Sequence, residues 1–339
     1  MHYRRHKNLQ GQGAAGSLSS RADKPDFSGY HGQVLSYRHA FHAGNPADVL
    51  KHMILIFCLD YLGQKEKPYL CVDTHAGAGH YSLTKGYGAW NREWAGGIGR
   101  LLNLAGQKSG TGDSLPPLAA RYLELITAQG PEDYPGSPGI IGKLLRARDR
   151  AVCFELHPAD FALLENRFGG DRRFDLRRED GFSGLRSLLP PVSRRGCIFI
   201  DPPYEKAEEY DTLPAVLTGA LRRFPGGLYI LWYPLLGPSR RGGGSPGEGR
   251  EGRNRKERLS RELPETLMAL FGGNRCRVDL ETGGTGEGNL YGSGLVIYNP
   301  PWTLKAALEA DLPILARLLG FRISGITWEA CNRQGSAVS

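Results

Sequence analysis

Asp201-Pro202-Pro203-Tyr204 directly follows the apolar run Cys197-Ile-Phe-Ile200, which places a carboxylate and a stiff, donor-poor turn at the end of a strand-like segment. An aromatic exocyclic amine is a poor nucleophile because its lone pair is delocalised into the ring. A carboxylate oxygen and a backbone carbonyl, here Asp201 Oδ and the Pro202 C=O, can accept its two hydrogens and localise that pair. The prolines rigidify the turn and remove competing N–H donors, and Tyr204 offers a ring on which an unpaired base can stack. This constellation suits methylation of adenine N6 by in-line displacement from a sulfonium methyl, where alignment lowers the barrier. Methylation of a glutamine amide, a related reaction, usually shows Asn in place of Asp201. A rigid Pro-Pro turn without catalytic function is the plain alternative.

Three further segments have the chemistry to hold a nucleoside-bearing methyl donor, S-adenosyl-L-methionine. Val72-Asp-Thr-His-Ala-Gly77-Ala-Gly79 follows a strand-like run, and glycines there let the backbone approach a ligand. Gly-x-Gly alone equally fits a tight strand-to-helix turn. A dinucleotide site would call for a fuller glycine fingerprint and an acidic residue roughly 20 positions later, and neither is present. Glu155 ends a second apolar run, where a carboxylate can accept hydrogen bonds from both ribose hydroxyls. Asp180-Gly181 follows a third run, where the Asp180 side chain can meet an adenine edge or simply start a turn. His52 and His75 are candidates to line the same cleft. Tyr37, Arg38 and His39 form an aromatic and basic cluster suited to stacking on and pairing with nucleic acid. His39, His42 and His52 lack a Cys or carboxylate spaced to complete a metal site, so no metal is expected.

These groups need a frame. Apolar runs at Tyr69–Val72, Ala151–Phe154, Phe174–Leu176, Cys197–Ile200 and Leu228–Trp232 lack strict alternation, as expected of parallel strands covered on both faces. Arg275–Glu281 and Gly294–Tyr298 predict an antiparallel pair at the sheet edge. Asn45 as N-cap, Pro46 at the first helical position and Asp48 in the first turn predict a helix to Leu62. Together they predict a doubly wound α/β fold of Rossmann-like type. About 80 residues separate the first two strands, far more than one crossover helix needs. Residues 86–133 are therefore expected to form a small helical insertion subdomain, with the main domain spanning 34–85 and 134–320.

Of the 339 residues, 40% are hydrophobic, 23% charged and 47 are glycine. Much of the glycine lies in Gly237–Asn254, a Gly/Arg-rich stretch expected to be a disordered loop. Residues 1–33 read as a polar extension and 321–339 as a C-terminal tail. The net charge of +8 is mostly in two places, +3 in residues 1–33 and +4 in residues 237–258, so bulk charge says little about nucleic acid, although a near-neutral remainder can hide segregated charge. Six dispersed cysteines form no CxxC pair, and no apolar stretch approaches the roughly 20 residues of a membrane helix. Both features predict a soluble cytoplasmic protein with buried thiols.

The segments Leu35–His52, Asp73–Gly79, Tyr134-Pro-Gly-Ser-Pro138, Glu155-Leu-His-Pro158, Pro190–Gly196, Asp201–Tyr204, Leu231-Trp-Tyr-Pro234 and Asn299-Pro-Pro-Trp302, in this order and spacing, closely resemble the bacterial 23S ribosomal RNA adenine-N6 methyltransferase family. The resemblance spans roughly residues 35–305. It implies a Rossmann-like class I methyltransferase fold with a helical insertion, S-adenosyl-L-methionine as cofactor, a monomer, and one adenine of 23S rRNA as target. It also implies that His52, His75, Ser137, Glu155, Asp180, Gly181 and Asp201 occupy cofactor-site positions, that Asp201 is catalytic, and that Tyr37 lies near the substrate adenosine. Pro46 and the Gly/Arg-rich loop depart from the family pattern. Two other readings stand beside this one: a DNA adenine-N6 methyltransferase, since the Asp-Pro-Pro-Tyr chemistry is shared, and a non-catalytic RNA-binding protein on the same fold, which a broken site would favour.

Overall fold

The Asn45 side chain accepts the Asp48 N–H at 3.0 Å, and Pro46 supplies the fixed φ of a first helical turn. The helix so started, α1 (Pro46–Gly63), is apolar on nearly every side and almost wholly buried. The computed structural model describes residues 38–106, 115–128, 130, 132–237, 250–282 and 290–330. The 1–33 extension, Tyr37, Cys331 and most of the Gly/Arg-rich loop lie outside the described residues.

After α1 come β1 (Leu70–Asp73), β2 (His80–Ser82), α2 (Gly86–Asn91), α3 (Ile98–Gly106), α4 (Pro117–Ile126), β3 (Asp133–Pro135) and α5 (Ser137–Leu144). The chain continues through β4 (Arg150–Phe154), α6 (Pro158–Phe168), β5 (Phe174–Arg177), α7 (Gly181–Leu188), β6 (Gly196–Ile200), α8 (Ala207–Arg223) and β7 (Leu228–Leu236). It ends in α9 (Arg250–Ala269), β8 (Arg275–Glu281), β9 (Leu290–Tyr298), α10 (Leu304–Leu319) and β10 (Arg322–Glu329). The main sheet has the order β10-β8-β9-β7-β6-β1-β4-β5. Strands β7, β6, β1, β4 and β5 are parallel, and β8, β9 and β10 join them antiparallel.

Alternate side chains of the central strands enter two different cores, which explains their unbroken apolar sequences. Cys71, Ala151, Cys153, Cys197 and Phe199 pack under α1, α5 and α10, whereas Val72, Val152, Phe154, Ile198 and Ile200 pack under α7, α8 and α9. The five cysteines among the described residues are buried free thiols.

Three expectations change. The segment between β1 and β4 is helical, bracketed by the β2–β3 ribbon, but it has no core of its own: Ile98, Leu101, Leu118 and Tyr122 belong to the core that buries α1. Residues 250–254, expected in a disordered loop, begin α9, because the Arg, Lys, Glu and Leu that follow are strong helix formers and Leu259, Leu263 and Leu267 recur on one face. Residues 322–329, expected in a tail, form the edge strand β10, paired antiparallel to β8.

Candidate active site

Sheet order reverses between β1 and β6: from β1 the chain proceeds outward to β4 and β5, and then returns to β6 and β7 on the other side. A crevice forms at such a switch point, outside the carboxyl ends of the strands. Asp73 ends β1, Glu155 follows β4, and Asp201 follows β6, so three carboxylates meet there from separate strands.

Glu155 holds the glycine turn. Its Oε2 accepts the Gly77 N–H at 2.8 Å and its Oε1 accepts the His157 N–H at 2.6 Å, and the Leu156 N–H also bonds the carboxyl, leaving it acceptor capacity to spare. Burial pushes its carboxyl up to about 7. Gly77 and Gly79 have φ of +60° and +76°, and a Cβ on Gly77 would stand 2.2 Å from Tyr81 Oη, so the turn needs glycine twice over. Asp73, which motif spacing alone did not single out, is fully buried. Its Oδ1 accepts the His75 N–H at 3.2 Å, Ser137 bonds its carboxyl, and Oδ2 has no partner among the described residues. Burial pushes this carboxyl, too, up to about 7.

Asp201 Oδ2 accepts a hydrogen bond from Lys51 Nζ at 2.6 Å, and the same ammonium reaches Asp48 Oδ1 at 2.7 Å. Burial disfavours the Lys51 charge, but Asp201 and Asp48 outweigh it and raise its pKa. Asp48 is buried as well. Lys51 and His39, whose Nε2 lies 3.0 Å from Asp48 Oδ2, outweigh that burial and hold its carboxyl well below the usual range. A chain His39–Asp48–Lys51–Asp201 thus ties the segment before α1 to the carboxyl end of β6. Sequence reasoning missed Lys51. A helix lysine ordinarily reads as solvated, and only its place in a helix without a polar face hinted at burial.

The remaining candidates divide. Asp180 is exposed and caps α7, accepting from the Phe182 and Ser183 N–H groups. Gly181 brings α7 against β1, since a Cβ there would meet the Thr74 carbonyl at 2.0 Å. His75 lies in the crevice beside Phe182, its Nδ1 2.8 Å from Thr74 Oγ1, and burial lowers its pKa to about 4. His52 sits in the core, its Nδ1 2.8 Å from Tyr134 Oη, which continues to Tyr122 Oη at 3.0 Å. Arg38 is committed to Asp160 at 2.6 Å and to the Tyr87 ring. Tyr204 has φ +50°, is 5% exposed, donates its hydroxyl to the Trp232 carbonyl at 2.9 Å, and packs on Tyr210 and Trp232. Pro202 is buried beside it. Lys256 of α9 donates to the Glu205 carbonyl at 2.7 Å and so secures the motif's exit.

The family model described as "Ribosomal RNA large subunit methyltransferase D, RlmJ" matches residues 66–240. A Haemophilus influenzae protein named "Ribosomal RNA large subunit methyltransferase J" is 36% identical over 292 residues, 84% of this chain and 94% of that protein. The Escherichia coli protein of the same name is 36% identical over 289 residues, 83% of this chain and 93% of its own length. Among solved structures, protein LPL1258 of Legionella pneumophila superposes with a TM-score of 0.70 at 29% identity, covering 86% of this chain and 99% of the other.

Proposed function

The chain belongs to the RlmJ family of ribosomal RNA large subunit methyltransferases, and from that premise we propose that it methylates N6 of one adenine in 23S rRNA with S-adenosyl-L-methionine, acting as a cytoplasmic monomer. One observation carries the reaction type: a carboxylate followed by Pro-Pro-Tyr, fixed by a buried lysine at the sheet's switch point.

The residues present fit the cofactor. Glu155 keeps acceptor capacity for a ribose hydroxyl, Gly77 and Gly79 put no side chain into the turn at their positions, and the orphaned Asp73 Oδ2 suits an amino group. His75 and Phe182 give the crevice an aromatic, uncharged wall near α7. When bound, the cofactor supplies an electrophilic methyl group on a sulfonium.

The chain's own residues prepare the nucleophile. Lys51 occupies Asp201 Oδ2, which fixes the carboxylate plane and leaves Oδ1 to accept one N6 hydrogen, while the Pro202 carbonyl accepts the other. The nitrogen becomes acidic once the methyl has transferred, and its proton then leaves through Asp201 Oδ1 or water. Tyr37 lies outside the described residues and is proposed to approach the adenosine; Arg38 and His39 anchor the segment that carries it.

Asp201→Ala should abolish N6-methyladenine formation in protein-free 23S rRNA, read by nucleoside mass spectrometry, while calorimetry still registers cofactor binding. A fully active variant would refute the assignment. Transfer to duplex DNA but not to rRNA would replace the substrate.

A further inference from the structure

At the amino ends of the parallel strands, opposite the crevice, each connecting loop delivers cations. In sheet order the exposed ones are Arg172 before β5, Arg148 and Arg150 at the start of β4, Lys65 and Lys67 before β1, Arg194 before β6, and Arg222 and Arg223 before β7. With strands ~4.8 Å apart, the row from β5 to β7 spans about 20 Å. Residues 64–67, 146–150, 171–173, 192–195 and 222–227 together hold eleven Lys and Arg against three Asp and Glu. That excess equals the net charge of the whole chain, so what remains outside the basic segments 1–33 and 237–258 is acidic.

The rim is rigid without being neutralised. Arg195 donates to the Leu62 and Lys67 carbonyls, and Arg146 to the Gly63 and Lys65 carbonyls as well as to Asp149. Asn299 Nδ2 donates to the Pro225 and Gly227 carbonyls at 2.8 and 2.6 Å, tying the β7 loop to the end of β9. Carbonyl partners fix geometry but cancel no charge. Arg148 pairs with Glu66 and Arg150 donates to the Ala147 and Asp149 carbonyls, whereas no carboxylate among the described residues pairs with Lys65, Lys67, Arg172, Arg194, Arg222 or Arg223. Two cations at the crevice differ. Lys51 is enclosed by two carboxylates and Arg38 is paired with Asp160, leaving neither free for a phosphate.

Phosphate contacts supply most nonspecific affinity for nucleic acid, and six exposed cations free to make them lie together at this end of the sheet. We propose that this rim is a second RNA-contact surface, which grips the phosphate backbone of a helix of the same rRNA remote from the target adenine. Val192 is fully exposed and Trp302 is 81% exposed at the same end, giving the rim apolar flanks for contact with sugars or an unstacked base. The inference rests on the proposed RNA substrate, not on the chemistry at Asp201.

The test compares full-length protein with a variant carrying Lys65→Gln, Lys67→Gln, Arg172→Gln, Arg194→Gln, Arg222→Gln and Arg223→Gln, using protein-free 23S rRNA as the probe without methyl donor. The expected results are at least tenfold weaker binding at moderate salt and a log K against log salt slope shallower by about 0.7 to 0.9 for each phosphate no longer neutralised. A second variant with the four arginines changed to lysine should retain both values, and coincident melting curves should show that the fold is intact. In turnover, KM should rise with kcat unchanged. Parental affinity and slope in the glutamine variant would overturn the proposal. Because binding is read without transfer, an inactive parent would sink the proposed reaction and leave this result standing.

Discussion

Lys51 lies between two carboxylates in a dry environment, so its removal strips Asp48 Oδ1 of its cation and leaves only His39 and the Gly44 N–H, both on Oδ2, to offset a buried charge. Lys51→Met should therefore destabilise the protein by about 3 to 5 kcal/mol, as breaking a buried pair does. Asp48→Asn combined with Lys51→Met should cost clearly less than the two single changes together, a coupling that denaturant titration of the double-mutant cycle measures. Glu155 and Asp73 carry one part of the pH dependence. Their carboxyls sit at about 7 in the folded protein, above the ordinary unfolded values, so their own contribution to the stability of the ligand-free fold is fullest below about pH 4 and is lost as pH rises to 7. His75 and His52, lowered to about 4 by burial, contribute in the opposite sense over the same window. Cofactor binding should run the other way, because ribose hydroxyls need an ionised acceptor. Affinity by calorimetry should strengthen up to about tenfold per pH unit per proton released below 7 and level off above it, with Glu155→Gln flattening the profile. Asp201 and Glu155 were legible because each directly follows an apolar run. Lys51 was not, since its partner lies 150 positions away.

Element boundaries were legible where a local signal set them. Asn45, Pro46 and Asp48 announce α1, and Asn45→Ala should cost about 1 kcal/mol in thermal unfolding, the usual value of a lost cap. Gly181 is fixed by close approach instead. Gly181→Ala would drive a methyl into the Thr74 carbonyl, so α7 should shift away from β1 and weaken cofactor binding even where the fold survives. Strand β7 runs on past Trp232 through Pro234, which sequence alone disfavours in a strand. Its pairing with β6 ends at Leu231, and beyond that β9 is its strand partner, so a missing N–H is tolerated. Helix α9 was hidden because the glycine-rich stretch before it masked its first turn.

At the scale of the molecule, β10 is the clearest omission from the sequence reading. Arg-Ile-Ser-Gly-Ile-Thr-Trp-Glu alternates only loosely and is half exposed, the pattern of a strand whose job is to cover an edge. It bonds β8 along its length, and Arg275 with Glu329 and Arg322 with Glu281 close its two ends. Ending the chain at residue 320 should uncover β8 as an open edge, and size-exclusion chromatography should show association or loss of soluble protein. Segregation of charge to one rim was likewise invisible to a net count, because the loops that share that rim are scattered over about half the chain.

The order of strands also has a temporal meaning. β1 is the first strand of the main sheet to be made, yet it sits in the middle, and its neighbours β4 and β6 follow only after the inserted helices and two further crossovers. A chain emerging from the ribosome therefore carries its apolar central strand without its full set of neighbours until well over half of it has been synthesised, and non-local pairing of this kind is slow. Lys51 waits as long, for Asp201. The newborn protein completes the Lys51–Asp201 pair only late in its own translation, so α1 and β1 stay short of their final partners the longest.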